Sequence, residues 1–305
     1  MGNTFQFAWE IPFIVSLQKI VIMFPALADV AALITMLGEP AFMAIFVGLF
    51  YWGFNKKLGR RLAVYIMGTV VFSLYLKNIF LRRRPYFDNK EVICFRPADQ
   101  KFDVSDIVGQ GFSFPSGHAT GISTLARLLC EWFKKKWLTI LFTVLVLLVM
   151  LSRNILGVHY PTDVLAGAFI GLTFGTVLDK ISEKFGNNIM MISLMVFGFT
   201  GLFFCKSSDY FTSYGVLCGM ICAIMYDDKY VNFENTNKLS KVLIRILLGL
   251  VVVVALAELP KFVLPASLTD DGSTLAMIVR TVRYGFAAFV GFGLYPRVFK
   301  YRLFN

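Results

Sequence analysis

Residues 138–163 read LTILFTVLVLLVMLSRNILGVHYPTD. From Leu138 to Leu156 the only charge is Arg153, near the end. That length is close to the ~20 residues a helix needs to cross a bilayer. A short polar turn follows and holds His159. Pro161 then opens a second apolar run, and proline suits the first turn of a helix. The reading is a span, a polar turn and another span, with the chemistry-bearing side chains confined to the boundary.

The same pattern extends outward along the chain. Of the 305 residues, 57% are hydrophobic, 16% are charged and 32 are phenylalanine. Soluble domains carry about 25% charged residues, and a mean hydropathy of +0.68 belongs to a polytopic membrane protein. Apolar runs fall at about 40–54, 62–81, 115–133, 138–156, 161–180, 189–204, 210–226, 242–257 and 275–295. The expectation is an all-α polytopic bundle of about nine transmembrane helices in one membrane domain. Residues 1–36, interrupted by Glu10, Pro12, Lys19, Pro25 and Asp29, read as one or two interfacial helices. Residues 37–185 form a core that holds both histidines, and 186–305 add further spans.

The net charge of +11 does not point to nucleic acid, because the basic residues sit in short clusters between apolar runs. The clusters at 56–61, 134–136, 180–184, 229–241 and after Pro296 alternate onto one side and hold 15 Lys and Arg. The positive-inside rule assigns that side to the cytoplasm. The 82–101 loop and the Gly157–Pro161 turn then face outward. That loop carries six basic residues, against the rule, and an anion-holding role accounts for it. The five cysteines form no CxxC pair, and the start of the chain has no signal-peptide pattern.

Three stretches carry chemistry. Lys77 and Arg84 are seven residues apart, which puts both on one face of the second span if the helix runs on to Pro85. Arg82 and Arg83 would then face elsewhere, toward lipid head groups. Pro115-Ser116-Gly117-His118 places proline at a helix start, with free N–H groups aimed at an anion and the Ser116 hydroxyl as a further donor. Gly117 allows close approach to the backbone. Arg153, His159 and Asp163 complete the set. Asp163 falls in a helix first turn and can orient His159, leaving the other ring nitrogen free to attack. Arg153 can fork onto two phosphate oxygens. His118 and His159 are the only histidines, and no metal cage is evident.

Lys77-x6-Arg84-Pro85, Pro115-Ser116-Gly117-His118 and Ser152-Arg153-x5-His159-x3-Asp163 together resemble the three-part signature of the type 2 phosphatidic acid phosphatase (PAP2) superfamily. The resemblance covers residues 77–163 without departures and implies a six-helix core. It implies that His159 attacks phosphorus and becomes a phosphohistidine, that Asp163 orients it, and that His118 protonates the leaving oxygen and then activates water. Lys77, Arg84, Arg153, Ser116 and Gly117 would hold the phosphoryl oxygens, with no cofactor. The implied partner is a membrane lipid phosphate in the bilayer, of the phosphatidic acid, phosphatidylglycerophosphate, sphingoid or polyprenyl phosphate class. Glucose-6-phosphatase and vanadium haloperoxidases share the signature, so a sugar phosphatase, a vanadate-dependent haloperoxidase and a non-catalytic lipid-binding protein stay open. The last spans resemble those of glucose-6-phosphatase and sphingosine-1-phosphate phosphatase in architecture alone. There Arg280 and Arg283, after Asp270-Asp271, would line a head-group pocket or pair with Glu258.

The topology places the site on the outer face of a bacterial plasma membrane. A membrane-impermeant maleimide should label Cys94, in the 82–101 loop, on intact cells, measured against a Cys94→Ser control. Labelling that needs lysis reverses the orientation.

Overall fold

The computed structural model describes residue 2 and residues 5–269, 273–301 and 303–304; the Asp270-Asp271 pair lies outside them. Helices account for the secondary structure, and no β-strand occurs among the described residues. The longer ones are α1 (Glu10–Met23), α2 (Ala26–Thr35), α3 (Pro40–Gly48), α4 (Lys56–Phe80), α5 (Gly117–Phe133), α6 (Lys136–Ile155), α7 (Pro161–Phe185), α8 (Asn187–Gly201), α9 (Ser208–Tyr226), α10 (Leu239–Glu258) and α11 (Thr274–Phe289). The chain divides into two compact units: Met1–Met43 with Phe72–Thr176, and Ala44–Val71 with Val177–Asn305.

Helices of the first unit carry exposed apolar faces. On α6, Trp137, Ile140, Leu141, Val144, Leu147, Leu148 and Leu151 form an exposed stripe at helical spacing. On α1 the usual order is inverted: Phe13 and Ile20 are exposed, while Glu10 and Gln18 are buried beside Ile14 and Val21. A helix in hydrocarbon presents apolar side chains outward and keeps its polar groups for protein partners.

Five helical segments are long and apolar enough to cross a membrane: Lys56–Phe80, Lys136–Ile155, Pro161–Phe185, Leu239–Val263 and Thr274–Lys300. A sixth arises if Ala26–Gly38 and Pro40–Phe54, bent by 45°, form one broken span. The expected nine are not reached on these criteria. Helix α5 has 17 residues and α8 has 15, and α9 dilutes its apolar residues with Asp209 and three tyrosines.

Helices α5 and α7 approach closely through Gly167 and Gly171. A Cβ at Gly167 would lie 2.5 Å from the Ser116 carbonyl oxygen, and one at Gly171 would lie 2.5 Å from that of Thr120. Small residues four apart let membrane helices touch backbone to backbone. Here they press the start of α7 against the start of α5, the two ends that carry His118 and Asp163.

The second unit is built around α10. Arg245 is buried, with Nε donating to the Phe304 carbonyl (3.0 Å) and Nη1 to those of Trp52 and Glu234 (both 3.0 Å). Lys56 and Arg60 pair with Asp227, and Arg61 pairs with Asp179. The basic cluster at the start of α4 is therefore held by carboxylates of its own unit.

Gly171→Ala should separate α5 from α7 and destabilise the protein by about 1–3 kcal/mol, read as a lower Tm of the detergent-solubilised protein. An unchanged Tm would mean that the close packing carries no stability.

Candidate active site

The three motif stretches lie in the first unit. Helix α4 stops at Phe80, earlier than the sequence reading expects. Leu81 takes a left-handed conformation (φ 51°) and its N–H closes the helix onto Lys77. A non-glycine residue adopts that conformation at some cost. It turns the chain so that Arg82, Arg83 and Arg84 lie outside the helix, Arg84 in extended backbone. Lys77 and Arg84 therefore do not share a helical face.

Arg84 is buried and ties two loops together. Its Nε donates to the carbonyls of Gln110 (3.0 Å) and Gly111 (3.1 Å), and Nη1 donates to that of Val158 (2.9 Å). The Lys77 ammonium does not reach for the membrane surface; it donates to the Phe112 (2.7 Å) and Ser113 (3.3 Å) carbonyls. Arg153 is buried at the end of α6, where Nη1 donates to the Thr35 hydroxyl at 2.7 Å.

The expected lipid-facing role of Arg82 is wrong. Its side chain is 0% exposed and bridges two buried carboxylates, Glu10 and Asp163, each at 2.7 Å. A guanidinium leaving a non-helical segment can turn inward, whereas the reading assumed a helix that put it outside. Arg83 pairs with Asp88 at 2.6 Å. Sequence reasoning missed Glu10 and Arg82 as a pair because 72 residues separate them. The one available signal was a glutamate within an apolar stretch, which in hydrocarbon needs a cationic partner.

Helix α5 begins at Gly117, so Pro115 lies ahead of it, and Ser116 is the N-cap, accepting the Ala119 N–H at 3.5 Å. The Ser116 N–H is already used, donating to the Asp163 carbonyl at 3.0 Å. The N–H groups of Gly117 and His118 remain in the first turn, where helix geometry offers no internal acceptor. A Cβ at Gly117 would touch nothing within 4 Å, so the backbone there borders open space.

His159 sits between α6 and α7. Gly157, at φ 76°, makes the turn before it, and a Cβ there would lie 2.2 Å from the Ile93 carbonyl oxygen. The His159 carbonyl accepts from Asn154 at 2.9 Å. Asp163, in the first turn of α7, accepts the Tyr160 N–H at 2.8 Å through Oδ2, the backward reach of a capping box. The same oxygen lies 3.4 Å from His159 Nδ1. On the ring's other side, Nε2 lies 3.4 Å from Arg84 Nη1. A guanidinium has no lone pair to offer, so this arrangement favours a proton on Nδ1 and a bare Nε2.

Burial, reinforced by the charges of Arg84, Lys77 and Arg153 and by His118, holds the His159 imidazole well below its usual pKa. The ring is therefore neutral at pH 7, the form that can attack. Arg84 lies beside His159 and the Ser116 N–H binds the Asp163 carbonyl, so parts of all three motif stretches meet here.

Arg280 and Arg283 lie on α11, in the second unit. Arg283 is 6% exposed, and its guanidinium nitrogens have no hydrogen-bond partner among the described residues. Glu258 takes the Tyr284 hydroxyl at 3.0 Å and pairs with Lys261 at 2.6 Å.

A profile of the PAP2 superfamily matches residues 58–186, and one described as "PAP2 superfamily phosphatase, transmembrane extension" matches residues 211–304. The chain is 32% identical over 163 residues to a lipid A 4'-phosphatase of Bacteroides thetaiotaomicron, covering 47% of this chain and 69% of that one. It is 32% identical over 119 residues to an undecaprenyl-diphosphatase of Sulfolobus acidocaldarius, covering 38% of this chain and 52% of that one. It is 27% identical over 184 residues to phosphatidylglycerophosphatase B of Bacillus subtilis, covering 56% of this chain and 82% of that one.

The depressed His159 pKa has a consequence for stability. On unfolding, the freed ring takes up a proton below about pH 6.5, while the folded ring resists. The unfolded state then binds more protons, so stability falls as pH drops through that value. His159→Gln should lose less stability than the parent between pH 6.5 and 5, by up to roughly 1 kcal/mol per pH unit. Thermal unfolding in detergent across that range measures it; parallel curves would mean that the ring titrates normally.

Proposed function

The chain belongs to the PAP2 superfamily, and from that premise we propose that it is an integral membrane phosphatase that works through a phosphohistidine. Its substrate is a lipid phosphomonoester or diphosphate. The observation that carries the reading is the setting of His159, held between Asp163 at Nδ1 and Arg84 at Nε2.

The chemistry follows from that setting. His159 Nε2 attacks phosphorus, and the bond to the leaving oxygen breaks. His118, entering as the imidazolium that the arriving phosphate's negative charge favours, gives that oxygen a proton and becomes neutral, and the lipid product departs. His118 then takes a proton from water, and the hydroxide releases phosphate from His159. Charge builds on the phosphoryl oxygens during both displacements. Arg84, Lys77 and Arg153, with the first-turn N–H groups of α5, would face those oxygens. Phosphoryl transfer needs mainly such positioning and charge stabilisation. Asp163 holds the ring by Nδ1 and stabilises the positive charge that the ring gains on attack.

The three relatives named above are phosphatases of lipid A, undecaprenyl diphosphate and phosphatidylglycerophosphate by their descriptions. What those names share is a phosphate borne by a lipid, and that class is proposed here. The outward-facing site of the topological reading belongs to the same proposal.

Phosphate release should be measured in detergent micelles against phosphatidic acid, phosphatidylglycerophosphate, undecaprenyl diphosphate, lipid A and glucose 6-phosphate. At least one lipid should be hydrolysed, with activity retained in EDTA. His159→Ala should lower kcat by roughly 10³-fold or more, as loss of a nucleophile does. Full activity in that variant would overturn the nucleophile assignment. Hydrolysis of the sugar phosphate alone would overturn the lipid class.

A further inference from the structure

Asp163 meets more than the histidine. Its Oδ1 accepts from Arg82 Nη1 at 2.7 Å, and Arg82 Nη2 reaches Glu10 Oε2 at 2.7 Å. Thr162 closes the group: its hydroxyl donates to Glu10 Oε1 at 2.6 Å and accepts from Arg82 Nη1 at 2.8 Å. Arg82 Nε donates to the Phe5 carbonyl at 2.9 Å. Its guanidinium lies 3.8 Å from the centre of the Tyr160 ring and 4.5 Å from that of Phe5. Glu10, Arg82 and Asp163 are all 0% exposed.

We propose that Glu10 and Arg82 are positioning residues of the reaction, a relay that keeps the charge of Asp163 available to His159 and fixes the ring's tautomer. The inference rests on the phosphatase reading above. Its physical basis is charge balance. Arg82 alone beside Asp163 would cancel the negative charge that supports the attacking imidazole. Glu10, on the far side of Arg82, cancels that cancellation. At their formal charges the three groups together leave one negative charge, and Asp163 is the member that touches His159. Arg82 still locks the carboxylate in place, so that Oδ2 points at Nδ1.

The fork geometry explains the residue type. Lysine would supply one point charge and could not bridge two carboxylates, a hydroxyl and a carbonyl while lying against two rings. Glu10 lies upstream of the segment matched by the superfamily profile, which starts at residue 58. The relay's outer member therefore comes from the N-terminal helix and not from the three motif stretches.

A purely structural role makes a different prediction from a relay. The test compares Glu10→Gln, Glu10→Asp, Arg82→Lys and the double variant Glu10→Gln/Arg82→Gln with the parent, as monodisperse protein in detergent. Substrate is whichever panel lipid the parent hydrolyses best. Glu10→Gln should lower kcat by about 10–100-fold, the size seen when an outer partner of a catalytic group is removed, with KM little changed. Glu10→Asp should recover most of it. The double variant should exceed Glu10→Gln, because neutralising Arg82 returns the charge of Asp163 to His159. Arg82→Lys should not recover activity.

A second readout needs no turnover. With two histidines in the chain, ring-¹⁵N spectra are simple, and His118→Asn assigns them. Arg84, Lys77, Arg153 and His118 also face His159, and they are common to every variant. In Glu10→Gln the His159 resonances should titrate at lower pH, and the population protonated at Nδ1 should fall. A lower Tm with kcat and the His159 titration unchanged would overturn the relay. If Glu10→Gln does not fold, the comparison of Glu10→Asp and the double variant decides it on the same readouts. If the parent hydrolyses nothing in the panel, the phosphatase reading fails, while the ¹⁵N titration still decides the relay.

Discussion

Asp163 is the residue on which the first unit closes. Its backbone carbonyl takes the Ser116 N–H, which joins the start of α7 to the start of α5. Its carboxylate takes the Tyr160 N–H, faces His159 Nδ1 and binds Arg82. One side chain therefore caps a helix, orients a ring and anchors a buried cation. Gly167 and Gly171 complete the arrangement by letting α7 press against α5. Positions that differ by a few tenths of an ångström matter to a displacement at phosphorus, and a residue tied on both backbone and side chain supplies that rigidity.

Two settings recur among the cations of the described residues, judged by the contacts named above. Arg82, Lys56, Arg60 and Arg61 meet carboxylates within ion-pair distance. Lys77 and Arg84 are held by carbonyl oxygens, and Arg153 by a hydroxyl. A carbonyl dipole orients a cation without supplying an opposing full charge. An anion arriving at the second setting meets positive charge already aimed, in surroundings of low dielectric, where it acts more strongly than in water. Burial first, and then the same charges, push the His159 ring toward its neutral form. On the proposed reading, one placement of cations would prepare both the electrophile's seat and the nucleophile.

Much of this was legible in the sequence because it is local. The apolar runs, the polar turn at 157–160 and the i, i+4 spacing of His159 and Asp163 each lie within one element and its cap. The gathering of the three motifs followed from the resemblance of their spacing to a known signature. What was not legible depends on tertiary geometry. The helix stop at Phe80 turns on a left-handed Leu81, a position where sequence preference favours glycine, so the face of Arg82 was misjudged. The count of about nine reads apolar content run by run, whereas five or six described segments have the length and composition to span. Helix α5 is apolar but short, with Thr120, Ser123 and Thr124 buried on its inner side.

The N-terminal helix raises the question of what holds it. In water, an apolar face would drive it onto the protein. Its exposed face carries Trp9, Phe13 and Ile20, and in lipid those residues gain nothing by docking, because acyl chains are as apolar as they are. Polar contacts must then specify where the N-terminal segment sits. Glu10 reaches Arg82 and Thr162. Gln18 donates to the carbonyls of Ile93 and Ile155 and accepts the Ile93 N–H. Thr35, at the end of α2, accepts from Arg153. Each contact ends on a motif residue or on the turns that flank one. Leaving a buried charge without its partner costs about 3–5 kcal/mol, so Glu10 alone gives a strong preference for one docked position. The bonds that fix the N-terminal segment run through Arg82 to Asp163, the carboxylate beside His159, so its docking and the geometry of the proposed site share those bonds.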